Sequence, residues 1–286
     1  MLLIKLGGSI ITYKEDGSAP PYYWNESKLH YRIREHELKS AAGVLRSHLD
    51  KGMIIIHGGG THGHRTVRRW EMEVARGTEA MRAWEVKWRM VQLTQEVISS
   101  LGSEKIPAVE VSPSDLFIME GSSIIESNLE PLNRIMDRGC VPILRGDLAP
   151  DRNGGWSVIS GDEIMVSLAE GSKEHLLPPV QGAVMCMREE GVYSDYGTKK
   201  RLLIKEFDPE TFHSFVESHN GGELPGDVTG GLLRKLRSCH RIASIGIPAR
   251  IIGGDLNVTI EEALSTGDPG TLFPPLKDGC PLCNPE

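Results

Sequence analysis

The sequence has 286 residues, a formal net charge of −7, a pI near 5.8 and 39% hydrophobic residues. This is enough for a large α/β domain with its own core, and the acidic balance excludes a general nucleic-acid-binding surface. No apolar run reaches the length of a membrane span, the N-terminus lacks the layout of a signal peptide, and five cysteines suit a reducing compartment. We therefore expect a cytoplasmic protein without nucleic-acid or membrane partners.

The chain begins with a buried-strand pattern over residues 2–6 that ends in the turn Gly7-Gly8-Ser9. A glycine turn directly after a buried strand lets a phosphate group approach the backbone N–H groups. Lys5 lies at the end of this strand and Lys14 follows nine residues later. A helical pattern over residues 27–49 comes next.

A second strand pattern, over residues 53–56, precedes the three glycines Gly58-Gly59-Gly60. Consecutive glycines permit positive φ angles and expose backbone N–H groups, which favours an anion site. His62 and His64 close this loop, and each imidazole can donate a hydrogen bond to a phosphate oxygen. A glycine-rich turn with two surface histidines is the structural alternative.

A long helical region is predicted over residues 65–101, with two apolar faces at helical spacing. Both faces are expected to pack in the core, since apolar stripes usually do. The functional alternative is that Trp84, Trp88 and Met90 line an apolar substrate pocket. The first face comprises Met81, Trp84, Trp88, Val91 and Ile98, and the second comprises Val86, Met90, Leu93 and Val97.

Strand and helix patterns alternate through the rest of the chain, without an internal repeat. This alternation predicts an open αβα sandwich, an α/β fold whose mostly parallel central sheet carries helices on both faces. We expect one domain over residues 1–286. The predicted strands span 106–111, 140–144, 180–187 and 249–252, the predicted helices span 131–138, 161–169, 209–216, 227–240 and 259–264, and a hairpin turn spans 151–155.

Several anion cradles in one chain favour two phosphorylated ligands, and hence phosphoryl transfer, which depends on positioning and charge stabilisation. Lys5, Lys14, Lys235 and His64 can supply cations and donors. Asp147 and Asp162 can orient lysines or help to hold Mg²⁺ around a nucleotide. Solvated surface lysines, and helix capping by Asp162 and Asp227, are the alternatives. The sequence contains no P-loop motif, no dinucleotide-binding glycine motif and no nucleophile elbow.

Four motifs, in their order along the chain, resemble those of the amino acid kinase superfamily, and within it those of the isopentenyl phosphate kinases. The resemblance extends over nearly the whole chain. It implies an open αβα sandwich, usually a homodimer, that transfers the ATP γ-phosphoryl group to isopentenyl phosphate. The motifs are Lys5-Leu6-Gly7-Gly8-Ser9, residues 57–64, Ile159-Ser160-Gly161-Asp162 and Asp227-Val228-Thr229-Gly230-Gly231.

The resemblance also implies roles for individual residues. Lys14 would stabilise charge on the transferring group, His64 would hold the acceptor phosphate, and Asp162 would arrange the lysines. Residues 1–170 would mainly bind the acceptor, residues 171–273 mainly the nucleotide, and residues 274–286 would form a tail. The ATP-binding set would be Lys5, Gly7, Gly8, Ser9, Gly60, Glu190, Gly230, Gly231 and Lys235, and the acceptor-binding set Gly59, Gly60, His62, His64, Trp84, Trp88 and Gly161.

This chain departs from the superfamily pattern at four places, one of which is Leu233, where relatives often carry a lysine. His62 replaces an aromatic residue next to the acceptor, which affects acceptor identity. The turn near the nucleoside contains Arg188-Glu189-Glu190, which affects nucleotide preference. Cys280 and Cys283 form half of a zinc knuckle in the tail, where a reduced thiol pair is the default.

Three functions remain open from the sequence. The first is an ATP- and Mg²⁺-dependent kinase of a small phosphate monoester, with isopentenyl phosphate preferred. The second is a related kinase of a phosphonate such as fosfomycin, or of another phosphorylated metabolite. The third is a non-catalytic protein of the same fold that binds a nucleotide or oxyanions.

Overall fold

The computed structural model describes residues 1–13, 33–60, 63, 79–194, 201–219, 231–265 and 267–276. Its helices are α1 Gly8–Ile11, α2 Glu35–Arg46, α3 Glu79–Ser103, α4 Glu130–Met136, α5 Gly161–Lys173, α6 Pro209–His219, α7 Gly231–Ser244 and α8 Leu256–Leu264. Its strands are β1 Leu2–Leu6, β2 Met53–His57, β3 Ala108–Glu110, β4 Phe117–Glu120, β5 Ser123–Ser127, β6 Val141–Arg145, β7 Asp147–Pro150, β8 Trp156–Ile159, β9 Gly182–Cys186, β10 Val192–Ser194, β11 Leu202–Ile204, β12 Ala249–Ile252 and β13 Thr271–Phe273.

Seven strands form the central sheet in the order β13-β12-β9-β1-β2-β6-β3. Neighbouring strands are parallel except for β13, which is antiparallel to β12. The carboxyl ends of β1, β2 and β9 therefore lie side by side, and the two glycine turns follow β1 and β2. Ligands of open α/β sheets bind along this edge.

Alternate residues of the strands enter two apolar cores, one on each face of the sheet. In β1, Leu3 joins one core, whereas Leu2, Ile4 and Leu6 join the other. The first core receives side chains from α5, α6 and α7, and the second from α1, α2, α3 and α8. Strands buried on both faces are typical of a parallel sheet covered by helices. The predicted αβα sandwich is confirmed.

The structure corrects several predicted elements. Three hairpins or edge strands were not predicted: β4–β5, β10–β11 and β13. The helix predicted to end at residue 169 continues to Lys173, and the one predicted from residue 259 begins at Leu256. Asp162 does not cap α5, because the Ser160 side chain accepts the hydrogen bond from the Glu163 N–H. None of the helices in the described part of the chain has both the length and the apolar character needed to cross a bilayer.

Candidate phosphoryl-transfer site

The two glycine turns touch each other through their backbones. The Gly58 N–H of the second turn donates to the carbonyl oxygen of Leu6, the last residue of β1, at 2.9 Å. The Gly7 N–H of the first turn donates on the other side to the carbonyl oxygen of Cys186, the last residue of β9, at 3.0 Å. A Cβ on Gly58 would lie 2.6 Å from the Gly8 nitrogen, and a Cβ on Gly8 would overlap the backbone of Gly60. Only glycine fits at this junction, so backbone from both turns borders one small region at the sheet edge.

A buried carboxylate joins two lysines next to this junction. Lys5 at the end of β1 forms an ion pair with Asp162, the second residue of α5. The Lys235 Nζ of α7 lies 3.4 Å from the same Asp162 oxygen. Lys5 and Asp162 are almost fully buried, whereas Lys235 is partly exposed. Two cations from different elements are thus held together by one anion.

The charges in this group shift the pKa values of its members. Burial lowers the pKa of Lys5 to about 8; the Asp162 carboxylate opposes this shift and the Lys235 ammonium adds to it. Burial acts to raise the pKa of Asp162, but the ammonium groups of Lys5 and Lys235 outweigh it and hold that pKa well below its usual value. Asp162 is therefore ionised at neutral pH, and it orients two ammonium groups that can face a phosphate.

Helix α3 packs against the triple-glycine loop and the end of β2 that precedes it. The His57 Nε2 lies 2.9 Å from Thr94 Oγ1, and the Thr94 hydroxyl donates to the Met90 carbonyl oxygen at 2.8 Å. The Met90 sulfur would lie 3.4 Å from a Cβ on Gly59. Met90 is therefore part of the core beneath the loop, as expected for its face of the helix.

Acidification should destabilise the protein between about pH 6.5 and pH 4, because His57 must remain neutral when folded. Burial, assisted by the cation of Arg145, lowers the His57 pKa from 6.5 to about 4. The unfolded chain binds more protons in this interval, so the free energy of unfolding falls as the pH falls, by on the order of 3 kcal/mol from this residue, and His57 adds no further change below pH 4.

Urea unfolding at a series of pH values measures this effect. We expect His57→Gln to reduce the acid dependence, whereas His36→Gln, on an exposed residue of α2, leaves it as in the wild type. An identical acid dependence in the His57 variant and the wild type would contradict the assignment.

The structure brings together part of the predicted residue set. The carboxyl edge of β1 and β2 unites Lys5, Gly7, Gly8, Ser9, Gly59 and Gly60, and α5 and α7 add Gly161, Asp162 and Lys235. Gly161 begins α5, and a Cβ there would lie 3.1 Å from the Lys5 side chain. Gly231 is the first residue of α7. The predictions for Lys14, His62, His64, Asp227 and Gly230 lie outside the described residues, as do those for Cys280 and Cys283.

The predicted core packing of the tryptophan face is wrong for Met81, Trp84 and Trp88, whereas Ile98 of the same face packs against the second core. Trp84 and Trp88 stack on each other with ring centroids 5.8 Å apart, and both are 45% exposed. Met81 on the same face is also exposed. The second face, with Met90, takes the core position because it lies against the sheet and the loop. The assignment of the tryptophans to an acceptor pocket stays a prediction.

Glu190 lies in the turn that follows β9, beside the site on the side away from β2. Its carboxylate accepts a hydrogen bond from the Tyr193 hydroxyl at 3.0 Å, and Glu189 pairs with Arg201. The Arg201 guanidinium also lies over the Tyr193 ring. The sequence did not indicate this arrangement, because β10 and β11 were not predicted.

The fold and the site together define the class of this chain: it is an α/β protein that binds phosphate groups. The model of the amino acid kinase family matches residues 1–253, and the chain belongs to that family. It is 28% identical to isopentenyl phosphate kinase of Methanothermobacter thermautotrophicus in an alignment of 272 residues. This alignment covers 92% of this chain and 95% of the relative.

Two further comparisons agree with this family. The chain is 26% identical to isopentenyl phosphate kinase of Methanocaldococcus jannaschii, over 82% of this chain and 85% of the relative. A solved isopentenyl phosphate kinase structure superposes with a TM-score of 0.72 at 21% identity, over 95% of this chain and 99% of that one. The structural match supports the fold, and the motif-based resemblance is confirmed at the level of the family.

Proposed function

We propose that this protein is an ATP-dependent kinase that converts isopentenyl phosphate to isopentenyl diphosphate. The observation that carries the proposal is the contact between the two glycine turns beside Lys5, Asp162 and Lys235. Two phosphate groups can meet there, one over each turn. The two relatives described above, matched over 92% and 82% of this chain, are named isopentenyl phosphate kinases, which supports this acceptor.

The sheet order supports a separate side of the site for each of the two ligands. The acceptor phosphate lies over the triple-glycine loop after β2 and the Gly161 N–H, and the ATP phosphates lie over Gly7, Gly8 and Ser9 after β1. The nucleoside then extends toward β9 and Glu190. From the superfamily resemblance, Gly230, Gly231 and Lys235 bind the ATP β/γ end, Lys14 contacts the transferring group, and His62 and His64 contact the acceptor.

Catalysis in this arrangement is electrostatic. The bond between the γ-phosphoryl group and ATP breaks, ADP leaves, and a bond to an oxygen of the acceptor phosphate forms in line with it. In the transition state negative charge is spread over the three equatorial oxygens of the transferring group. Lys5 and Lys235 neutralise that charge from fixed positions, so little reorganisation is needed during transfer. Asp162 does not react; it holds the two ammonium groups in place.

Mg²⁺ is proposed as the counter-ion of ATP, since it is usually bound by substrate phosphates and few protein ligands. No group of three or more potential metal-binding side chains was found within the described ranges. No residue of this chain is therefore assigned as a Mg²⁺ ligand, and no step is derived through the ion.

The alternatives differ in what the site must do. A phosphonate such as fosfomycin would use the same lysines, but the two relatives described above, which cover 92% and 82% of this chain, are named for isopentenyl phosphate. A non-catalytic binding protein would need the glycine turns. It could use the lysines as well, but the two relatives described above are named kinases. Of the three functions, a kinase of isopentenyl phosphate therefore has the strongest support.

An ADP-release assay with MgATP tests the proposal. We expect turnover with isopentenyl phosphate, slower turnover with glycerol phosphate as a polar phosphate monoester, and little with fosfomycin. Phosphorus NMR should identify the product as a diphosphate. ATP binding without ADP release for every acceptor would contradict the kinase assignment, and a preference for fosfomycin would contradict the acceptor.

We further propose a cytoplasmic homodimer. The acidic charge, the small odd number of cysteines and the superfamily resemblance support these two statements. The division into an acceptor half, residues 1–170, and a nucleotide half, residues 171–273, is proposed on the same resemblance. Lys5, at the end of β1, lies where the two halves meet.

A further inference from the structure

A second group of charges, two of them buried, lies beside the acceptor side of the site. It consists of Lys87, Glu110, Arg145 and Asp147, here called the Asp147 network. Arg145 and Asp147 are almost fully buried, and Lys87 is about one quarter exposed. The group joins α3, the edge strand β3, the end of β6 and the start of β7. Its four formal charges cancel.

Asp147 is the centre of this network. Its Oδ2 accepts hydrogen bonds from Arg145 Nε at 2.9 Å and from Lys87 Nζ at 3.4 Å, and Arg145 Nη2 lies 2.9 Å away. Arg145 also pairs with Glu110. The Lys87 ammonium donates further to Ser114 Oγ at 2.9 Å and to the Leu148 carbonyl oxygen at 3.2 Å. One carboxylate oxygen thus ties three segments together.

The residue between Arg145 and Asp147 borders the acceptor cradle directly. The Gly146 N–H donates to the His57 carbonyl oxygen at 3.0 Å, and Arg145 is the register partner of His57 in the sheet. A Cβ on Gly146 would lie only 3.2 Å from the Gly161 nitrogen. Gly146 therefore bonds to the residue that precedes the triple-glycine loop, and it leaves little room for a side chain next to the N–H that is proposed to hold the acceptor phosphate.

Buried ion pairs add little net stability compared with well-packed apolar residues, so stability alone is a weak explanation for three linked ion pairs in one place. They do fix geometry, because removing one partner leaves another charge buried and unpaired. Among the described residues, Asp147 Oδ1 is buried without a hydrogen-bond partner. The carboxylate thus has no other bond to hold it when its contacts to Arg145 and Lys87 are lost.

We propose that Asp147, with Arg145 and Lys87, positions the acceptor-phosphate cradle by fixing Gly146 against His57 and Gly161. These residues do not touch the reacting groups. The proposal rests on the proposed function, since it assumes that Gly161 and the triple-glycine loop bind the acceptor. It predicts selective damage, because the network lies on the β2–β6 side and contacts neither Lys235 nor the turn after β9.

Steady-state kinetics of Asp147→Asn test this role, with Asp115→Asn on a nearby exposed residue as the matched control. We expect the acceptor KM to rise about tenfold or more, since small displacements in a binding site have effects of this size. The ATP KM should stay within about twofold, and Asp115→Asn should resemble the wild type. Equal changes in both KM values, or a lower thermal midpoint with unchanged kinetics, would overturn the proposal.

Lys87→Met keeps the inference testable if Asp147→Asn does not fold. It removes one partner of Asp147 from the partly exposed side and leaves the Arg145 pair intact. We expect a smaller rise in the acceptor KM in the same direction, again without a change for ATP. An unchanged acceptor KM in Lys87→Met would oppose the proposal.

Calorimetry separates failure of this proposal from failure of the proposed function. If the wild type binds isopentenyl phosphate without transferring phosphate to it, the kinase assignment fails, but the network can still be tested by acceptor affinity. A weaker affinity for isopentenyl phosphate in Asp147→Asn, with unchanged affinity for a non-hydrolysable ATP analogue, supports the positioning role. Equal affinities in variant and wild type contradict it.

Discussion

Lys5→Met should lower kcat by about 10²- to 10³-fold, the size of effect found when one fixed donor to a developing charge is removed. Methionine approximates the length and volume of lysine and tolerates burial, so the change removes the ammonium group with little disturbance of packing. Asp162 keeps one cationic partner, because Lys235 Nζ lies 3.4 Å away. The loss should therefore appear in turnover more than in stability.

Lys39→Met is the matched control, since Lys39 is an exposed residue of α2 on another part of the surface. It should leave kcat and the thermal midpoint unchanged. Rapid-quench measurement of a single turnover places the defect of Lys5→Met in the chemical step and excludes slow product release. A kcat within twofold of the wild type would remove Lys5 from the transfer site.

The sequence was sufficient for the parts of the site that depend on local chain geometry. A buried strand followed by glycines has few backbone conformations, so β1, β2 and the turns after them were predicted well. Parallel strands also place their carboxyl ends on one edge, which brings Gly7 and Gly58 together once β1 and β2 are neighbours in the sheet, as the structure shows. Helix α7 puts Lys235 on its second turn, as its spacing predicts.

Other features depend on contacts between residues far apart in the chain. The face of α3 with Trp84 and the face with Met90 have the same helical period, and only the position of the sheet decides which one is buried. Arg145 reads as the polar end of a strand, and nothing local indicates that Glu110 and Asp147 neutralise it. The short hairpins β4–β5 and β10–β11 lack the regular alternation that makes strands recognisable.

The departures at Glu189 and Glu190 acquire a physical meaning in the structure. The turn that contains them is continuous with β10, and β10 pairs with β11. Arg201 and Tyr193, from these strands and their flanks, bind the two carboxylates. The altered turn thus has partners that its own sequence does not reveal, at the end of the site assigned to the nucleoside.

The contact between the two glycine turns should make the junction intolerant of a single methyl group. In Gly8→Ala the new Cβ would overlap the Gly60 nitrogen and Cα, which are backbone atoms and cannot rotate away. The turns must then separate, and the donor and acceptor phosphates separate with them. Because displacements of about 1 Å in a reacting pair cost on the order of 10²-fold in rate, we expect at least that loss in kcat.

Gly43→Ala gives the matched comparison for the same chemical change. Gly43 lies within α2, and a Cβ there meets nothing within 4 Å. This variant should keep full activity and gain about 0.4–1 kcal/mol of stability, because alanine restricts the unfolded chain more than glycine does. Activity and thermal unfolding measured on both variants decide the issue. If Gly8→Ala retains more than about half of the wild-type activity, phosphoryl transfer does not occur at this junction.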